Sequence, residues 1–142
     1  MLDIKIKKLS KNVELPKQST QGAAGMDFYL PQPVRFEPNR SKKVPLGVAV
    51  EIPEGYVMLL IPRSSMWTTP LRMPNSVGVI DSDYRGEVCA LLQNTHHLAW
   101  TAEAGERLVQ GVIVPVPEVQ IQEVEELSET SRGVGGFGST GK

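Results

Sequence analysis

The chain has 142 residues, with 15 Lys and Arg against 16 Asp and Glu and a formal net charge of -1. That length supports one hydrophobic core and leaves no room for a second comfortable domain. The balanced charge excludes a global field of the kind that draws DNA or an acidic membrane, so any anion site has to be local.

The single cysteine, Cys89, lies in an apolar run. It rules out an internal disulfide and a Cys-rich zinc site, suits a reducing compartment, and is predicted to be a core residue. No stretch approaches the length of a membrane span, and residues 1–7 alternate in polarity where a signal peptide would be continuously apolar. The expectation is a cytoplasmic protein with neither a nucleic-acid nor a membrane partner.

Taken in chain order, short apolar or alternating runs fall at residues 2–7, 44–52, 56–61, 77–80, 88–92, 108–114 and 119–124. Between them lie Pro31-Gln32-Pro33, Pro53-Glu54-Gly55 and Pro74-Asn75, residues that set turns and end strands. This pattern predicts an all-β domain, a barrel or sandwich of the jelly-roll kind that shortens its own sheet edges. One helical candidate, residues 101–108, is interrupted by Gly105 and too short to be stable alone. Residues 78–87 read as a β-hairpin: an apolar run enters Asp81, a polar turn follows with Tyr84 at its tip, and a second apolar run leaves. A turn made only to reverse the chain needs nothing beyond Gly, Asn or Asp, yet this one carries two carboxylates, a phenol and a guanidinium.

The acidic stretch 118–129 reads as a solvated strand face and connector. After it, residues 131–142 carry too little apolar surface to fold alone and are predicted to form a mobile arm on a domain of residues 1–130. In that arm Arg132 is a fork donor, Phe137 a stacking surface and Lys142 a terminal cation. The glycines among them can wrap a phosphate chain with bare N–H groups. Three more polar segments stand out: Ala23-Ala24-Gly25-Met26-Asp27, Pro62-Arg63-Ser64-Ser65, and Gly105-Glu106-Arg107-Leu108-Val109-Gln110. With the turn and arm they supply guanidinium forks and hydroxyls for phosphates, an aromatic for a base, and carboxylates for a hydrated Mg²⁺ and a nucleophilic water.

Five segments, AGMD, PRSS, GVIDSDYRGE, GERLVQ and RGVGGFGSTG, stand in the order found in the trimeric dUTPase family, which the chain resembles over nearly its whole length. The resemblance implies a jelly-roll homotrimer with active sites shared between subunits, hydrolysing dUTP to dUMP and pyrophosphate with Mg²⁺. Such a reaction keeps uracil out of DNA and supplies dUMP. Asp81 resembles the catalytic carboxylate that aims a water in line at the α-phosphorus, a role in which position matters more than basicity. Tyr84 resembles the residue that packs on the deoxyribose and leaves no space for a 2′-hydroxyl. Asn75, with the backbone of Gly78, Val79 and Ile80, matches the group that pairs with the uracil edge. Arg63, Ser64, Ser65 and Gln110 fall in phosphate-side motifs, and Arg132 resembles the γ-phosphate fork. Phe137 would stack on uracil, with Gly138, Ser139 and Thr140 donating to the terminal phosphates. Asp27 is placed near the metal, contacting Mg²⁺ through water while the triphosphate chelates it.

The second motif departs from the family pattern. Ser65 stands where the family usually has glycine, and residues 66–74 lack its usual Lys and Gly pattern. A related reading is a dCTP deaminase, but that chemistry needs a glutamate where, aligning on Asn94, this chain has Leu91. A nucleotide-switched regulatory trimer is the non-enzymatic alternative, and its signature would be loss of Asp81 or of the arm.

Overall fold

The computed structural model describes residues 1–141, so Lys142, singled out above as a terminal cation, lies outside the described residues. Ten strands follow one another: β1 (Lys5–Lys8), β2 (Met26–Asp27), β3 (Val34–Phe36), β4 (Ser41–Glu51), β5 (Tyr56–Pro62), β6 (Leu71–Arg72), β7 (Gly78–Ile80), β8 (Glu87–Asn94), β9 (Trp100–Ala102) and β10 (Val109–Pro115). One four-stranded sheet runs β1-β4-β8-β6, a second runs β2-β10-β5-β7, and β3 with β9 forms a ribbon. All the pairings are antiparallel. The all-β jelly-roll class expected from the strand spacing is what the chain adopts.

The two sheets close on a single core. Val44, Leu46, Val48 and Val50 of β4 and Val88, Ala90 and Leu92 of β8 pack with Met58, Leu60 and Val109 of the other sheet, and Phe28 and Phe36 fill the space between. Burial alternates strictly along β8, as a strand with one face on the core requires. That parity corrects the expectation for Cys89. Because Val88, Ala90 and Leu92 point inward, Cys89 and Leu91 take the outer face and are only half-buried. Partial burial pushes the Cys89 thiol up from its ordinary value, and the nearby Glu87 carboxylate adds to the effect.

Asn94 ends β8 on the inward side, fully buried. Its Nδ2 donates to the carbonyls of Phe36 (3.3 Å) and Leu98 (2.9 Å), and its Oδ1 accepts from the His96 N–H (2.9 Å). One side chain thereby fastens the sheet to the loop before β9. Asn94→Leu keeps the branched shape, adds some volume, and removes the partner of one buried and two part-buried backbone groups, each loss costing about 1–3 kcal/mol or less. A fall of roughly 10 °C in the melting temperature is expected by scanning calorimetry, and a shift under about 3 °C would show that water replaces the amide.

Several sequence expectations change in the folded chain. Residues 101–108 are not helical. Trp100–Ala102 pairs with Val34–Phe36, and a turn follows in which the Glu106 N–H bonds the Glu103 carbonyl (3.2 Å). The short strands β2, β3, β6 and β9, of two or three residues each, are too brief to leave a period in the sequence. The only helical turn among the described residues is a 3-10 helix, Ser64–Thr68, anchored by buried Met66. Residues 119–124 form no strand. The last hydrogen bond tying this end of the chain to the body, among the described residues, is Val116 N–H to the Gly55 carbonyl (2.8 Å). Beyond it Val119, Ile121, Val124 and Leu127 stand exposed. A strand needs a neighbour to satisfy its backbone, and the chain offers none there.

Candidate functional site

The segment 78–87 is not a hairpin. Gly78–Ile80 pairs with β5, with Leu60 opposite Gly78 and Met58 opposite Ile80, whereas Glu87–Asn94 pairs with β4 and β6 in the other sheet. Residues 81–86 therefore bridge the two sheets at one end of the domain. Two similar apolar runs around a turn cannot reveal in sequence whether they pair with each other or part company.

The bridge is built from its own contacts. The Tyr84 N–H bonds the Asp81 carbonyl (3.2 Å), closing a turn, and Arg85 Nη1 donates to the carbonyls of Ser82 (2.6 Å) and Tyr84 (3.1 Å). Tyr84 Oη donates to the Glu87 carbonyl (2.9 Å), which folds the ring over Gly86. A Cβ on Gly86 would lie 2.5 Å from that oxygen, so only glycine allows the ring this position. Glu87 is held by the Gly47 N–H (2.9 Å). Asp81 is left exposed with no side-chain partner among the described residues, beside an open groove of about 1120 Å³ that Tyr56, Val79 and Asp83 also line. A free carboxylate on a turn fixed from below can accept a proton from a water without first breaking a bond.

On the other side of Gly78, Asn75 and Ser76 form a tight turn. The Val77 N–H bonds the Asn75 carbonyl (2.7 Å), and Ser76 has a positive φ of 62°. The Asn75 side chain is exposed, with a long 3.4 Å bond from Nδ2 to the Val77 carbonyl. β7 is an edge strand, so the backbone of Gly78, Val79 and Ile80 presents donors and acceptors on its open side. Val79 turns its side chain outward while Ile80 is buried.

A second cluster sits where β5 ends. Asp27 is buried, and its carboxylate accepts from Ser19 Oγ (2.7 Å), Arg63 Nε (2.8 Å) and Arg107 Nη1 (3.1 Å). Arg63 also donates through Nη1 to Ser65 Oγ (3.1 Å) and to the Arg107 carbonyl (3.0 Å). Tyr29 backs the group, with the Arg107 guanidinium 5.8 Å from its ring centroid. Gln110 lies across from Asp27 on β10 and donates to the Pro62 carbonyl (3.3 Å). Its amide occupies the space a side chain at position 25 would need, since a Cβ on Gly25 would come within 2.6 Å of its Oε1. Ser64 and Ser65 open the 3-10 helix at the cluster's edge. Two guanidiniums on one carboxylate leave positive charge beside hydroxyls, the composition of a phosphate-type anion site.

Within one chain the two clusters stand apart. Ile80 pairs with Met58, Asp81 follows on the side away from Arg63, and so, at about 3.3 Å per residue over roughly six residues, the backbones of Asp81 and Arg63 are on the order of 20 Å apart. Among the described residues the arm makes no hydrogen bond to either of them. Arg132 Nε is folded onto the Gly135 carbonyl (3.0 Å), and successive tight turns place Gly138, Ser139 and Thr140 in solvent beside a fully exposed Phe137. Among the described residues no three His, Cys, Asp or Glu side chains converge to hold a metal. Ser19 escaped the sequence reading because its segment carries no motif. It reaches Asp27 through the short antiparallel bridge of Lys17 to Asp27.

Fold and clusters together define an all-β jelly-roll domain that separates a carboxylate-bearing turn from a guanidinium-rich anion site, the parts of a nucleotide-phosphate hydrolase. The dUTPase family model matches residues 11–141, and the chain belongs to the dUTPase family. A deoxyuridine 5'-triphosphate nucleotidohydrolase of Nautilia profundicola is 44% identical over 142 residues, covering 99% of this chain and all of that protein. Among solved structures, a dUTPase of Staphylococcus bacteriophage 80alpha with dUpNHpp superposes with a TM-score of 0.91 at 32% identity over 99% of both chains. A dUTPase variant from phage phi11 of S. aureus, whose structure concerns coordination of a structural Mg(II) ion, has a TM-score of 0.80 at 27% identity over 87% of this chain and 97% of that one.

Proposed function

We propose that the protein hydrolyses dUTP to dUMP and pyrophosphate as a homotrimer whose active sites each draw on more than one chain. The observation that carries the reading is the pairing, on a chain of the dUTPase family, of a preset turn presenting Asp81 with a distant anion site around Arg63, Ser64, Ser65 and Gln110. A triphosphate cannot bridge the two clusters of one chain, but a neighbouring copy can bring its own anion site to the turn. The exposed Val119, Ile121, Val124 and Leu127 support the same assembly, because four unpartnered apolar side chains on one segment call for a covering surface.

In this reading Asp81 accepts a proton from a water and aims its oxygen at the α-phosphorus. The P–O bond to the bridging oxygen breaks, and pyrophosphate leaves with that electron pair. Asn75 and the open backbone of Gly78, Val79 and Ile80 pair with the uracil edge, which rejects cytosine by its donor pattern. Ser64, Ser65, Arg63 and Gln110 hold phosphate oxygens. Arg132 grips the γ-phosphate, Phe137 closes over uracil, and Gly138, Ser139 and Thr140 donate to the terminal phosphates. On this reading residues 1–130 form the domain and the segment from 131 onward its closing arm. Mg²⁺ fits as an ion carried by the triphosphate, since the described residues offer no cage of their own; bound there, it neutralises phosphate charge. We place the enzyme in the cytoplasm, in keeping with its one free thiol. No helix among the described residues is long and apolar enough to cross a membrane.

The direct test incubates the protein with dUTP, dCTP, dTTP and UTP plus Mg²⁺ and assays pyrophosphate and ammonia. Pyrophosphate from dUTP alone is expected. Ammonia from dCTP would move the reading to a deaminase, and neither product would move it to a binding protein. The fixed Tyr84 ring makes a further expectation specific. Tyr84→Ala opens the space a 2′-hydroxyl would need and should raise kcat/KM for UTP relative to dUTP by about tenfold or more. An unchanged ratio would put the ribose gate elsewhere.

A further inference from the structure

An arginine side chain has five N–H donors, and three of those on Arg63 are spent inside the protein. Nε goes to Asp27 Oδ1, and Nη1 goes to Ser65 Oγ and the Arg107 carbonyl. The two on Nη2 have no partner among the described residues. Arg63 also lines a groove of about 300 Å³ together with Ser65, Thr68 and Arg107, so these two donors are the ones it has left for a ligand there. Asp27 cannot turn away from this task. Its side chain is 7% exposed, and its second oxygen is held by Ser19 Oγ at 2.7 Å and Arg107 Nη1 at 3.1 Å. Ser19 Oγ in turn accepts from Arg107 Nη1 (3.0 Å). One buried carboxylate thus fixes the direction of one guanidinium, while a hydroxyl and a second guanidinium fix the carboxylate.

We propose that Asp27, locked by Ser19, is a positioning residue that aims the free Nη2 edge of Arg63 at a substrate phosphate. The proposal rests on the dUTP reading above. A free arginine side chain has to give up its rotamers when it binds, whereas one held by three acceptors has already done so. Lysine could not do the same, having neither the planar fork nor the inward-facing donors.

A double-mutant cycle on dUpNHpp binding, measured by titration calorimetry on the full-length protein, tests the proposal. Asp27→Asn is expected to weaken binding about 30-fold and Arg63→Ala by about as much or more. The double variant should bind within about twofold of Arg63→Ala, because Asp27 acts only through the arginine. Ser19→Ala should lose about fivefold and Ser19→Thr, which keeps the hydroxyl, should stay near wild type. If Asp27→Asn does not fold, the cycle runs with Ser19→Ala and Arg63→Ala. Penalties that multiply in the double variant would overturn the proposal, as would an Asp27→Asn variant that binds like wild type. Failure of the wild-type protein to bind dUpNHpp at all would instead remove the dUTP reading, and the proposal with it.

Discussion

Asp81→Asn should lower kcat for dUTP by about three orders of magnitude, the middle of the range that a positioned general base supplies. The substitution is nearly isosteric, and Asp81 is exposed with no side-chain partner in the described chain, so nothing in the fold depends on its charge. The turn under it is held by Tyr84 and Arg85 through backbone carbonyls and stays in place. What the amide cannot do is accept the proton of the attacking water. Binding of dUpNHpp, which needs no proton transfer, should change by less than about threefold. The signature is therefore a fall in kcat with KM nearly constant, the mark of an interaction made in the transition state alone. Measured kcat within tenfold of wild type would exclude Asp81 as the base. A parallel loss of dUpNHpp affinity would assign it to binding.

Deleting the chain from residue 132 should cut kcat/KM by roughly 100-fold or more while leaving a folded trimer, because it removes together the phosphate fork proposed for Arg132 and the lid proposed for Phe137. The apolar side chains at 119, 121, 124 and 127 remain, and with them the surface assigned to assembly. The same deletion tests whether sites are shared. Asp81→Asn chains and armless chains, each inactive alone, are mixed 1:1 through unfolding and refolding. In a closed three-fold ring with Asp81 and the arm of each site drawn from different chains, every mixed trimer keeps one good site. Six of eight combinations are mixed and each retains one site in three, so about a quarter of wild-type activity should return. A refolded mixture that is trimeric by light scattering yet inactive would confine each site to one chain.

The polar segments were readable because their composition exceeds what a β domain requires of its turns. A surface loop has no need of Pro62-Arg63-Ser64-Ser65 or of the carboxylates around Tyr84, and the structure shows what several of those side chains hold. Arg63 anchors on Asp27, and Tyr84 and Arg85 build the turn that presents Asp81. The strands with enough residues to show their period were readable for a similar reason, since alternation over β8 or the long run of β4 follows directly from one-sided burial.

What the sequence determined by itself was the class of fold, the family, and the residue types available for chemistry, all of which depend on local pattern and composition. Tertiary structure alone decided how those residues combine. It sent β7 and β8 to different sheets, turned Cys89 outward by the parity of its buried neighbours, and brought Ser19 to Asp27 from a segment without any motif. It also left residues 119–124 without a strand, because a period-two pattern states a preference for pairing and cannot supply the partner. For Cys89 the reason is which face of β8 packs on the core; for the other three it is that backbone pairing and buried-charge neutralisation are satisfied by whichever groups the packed chain brings within hydrogen-bond distance, and sequence separation does not enter that condition.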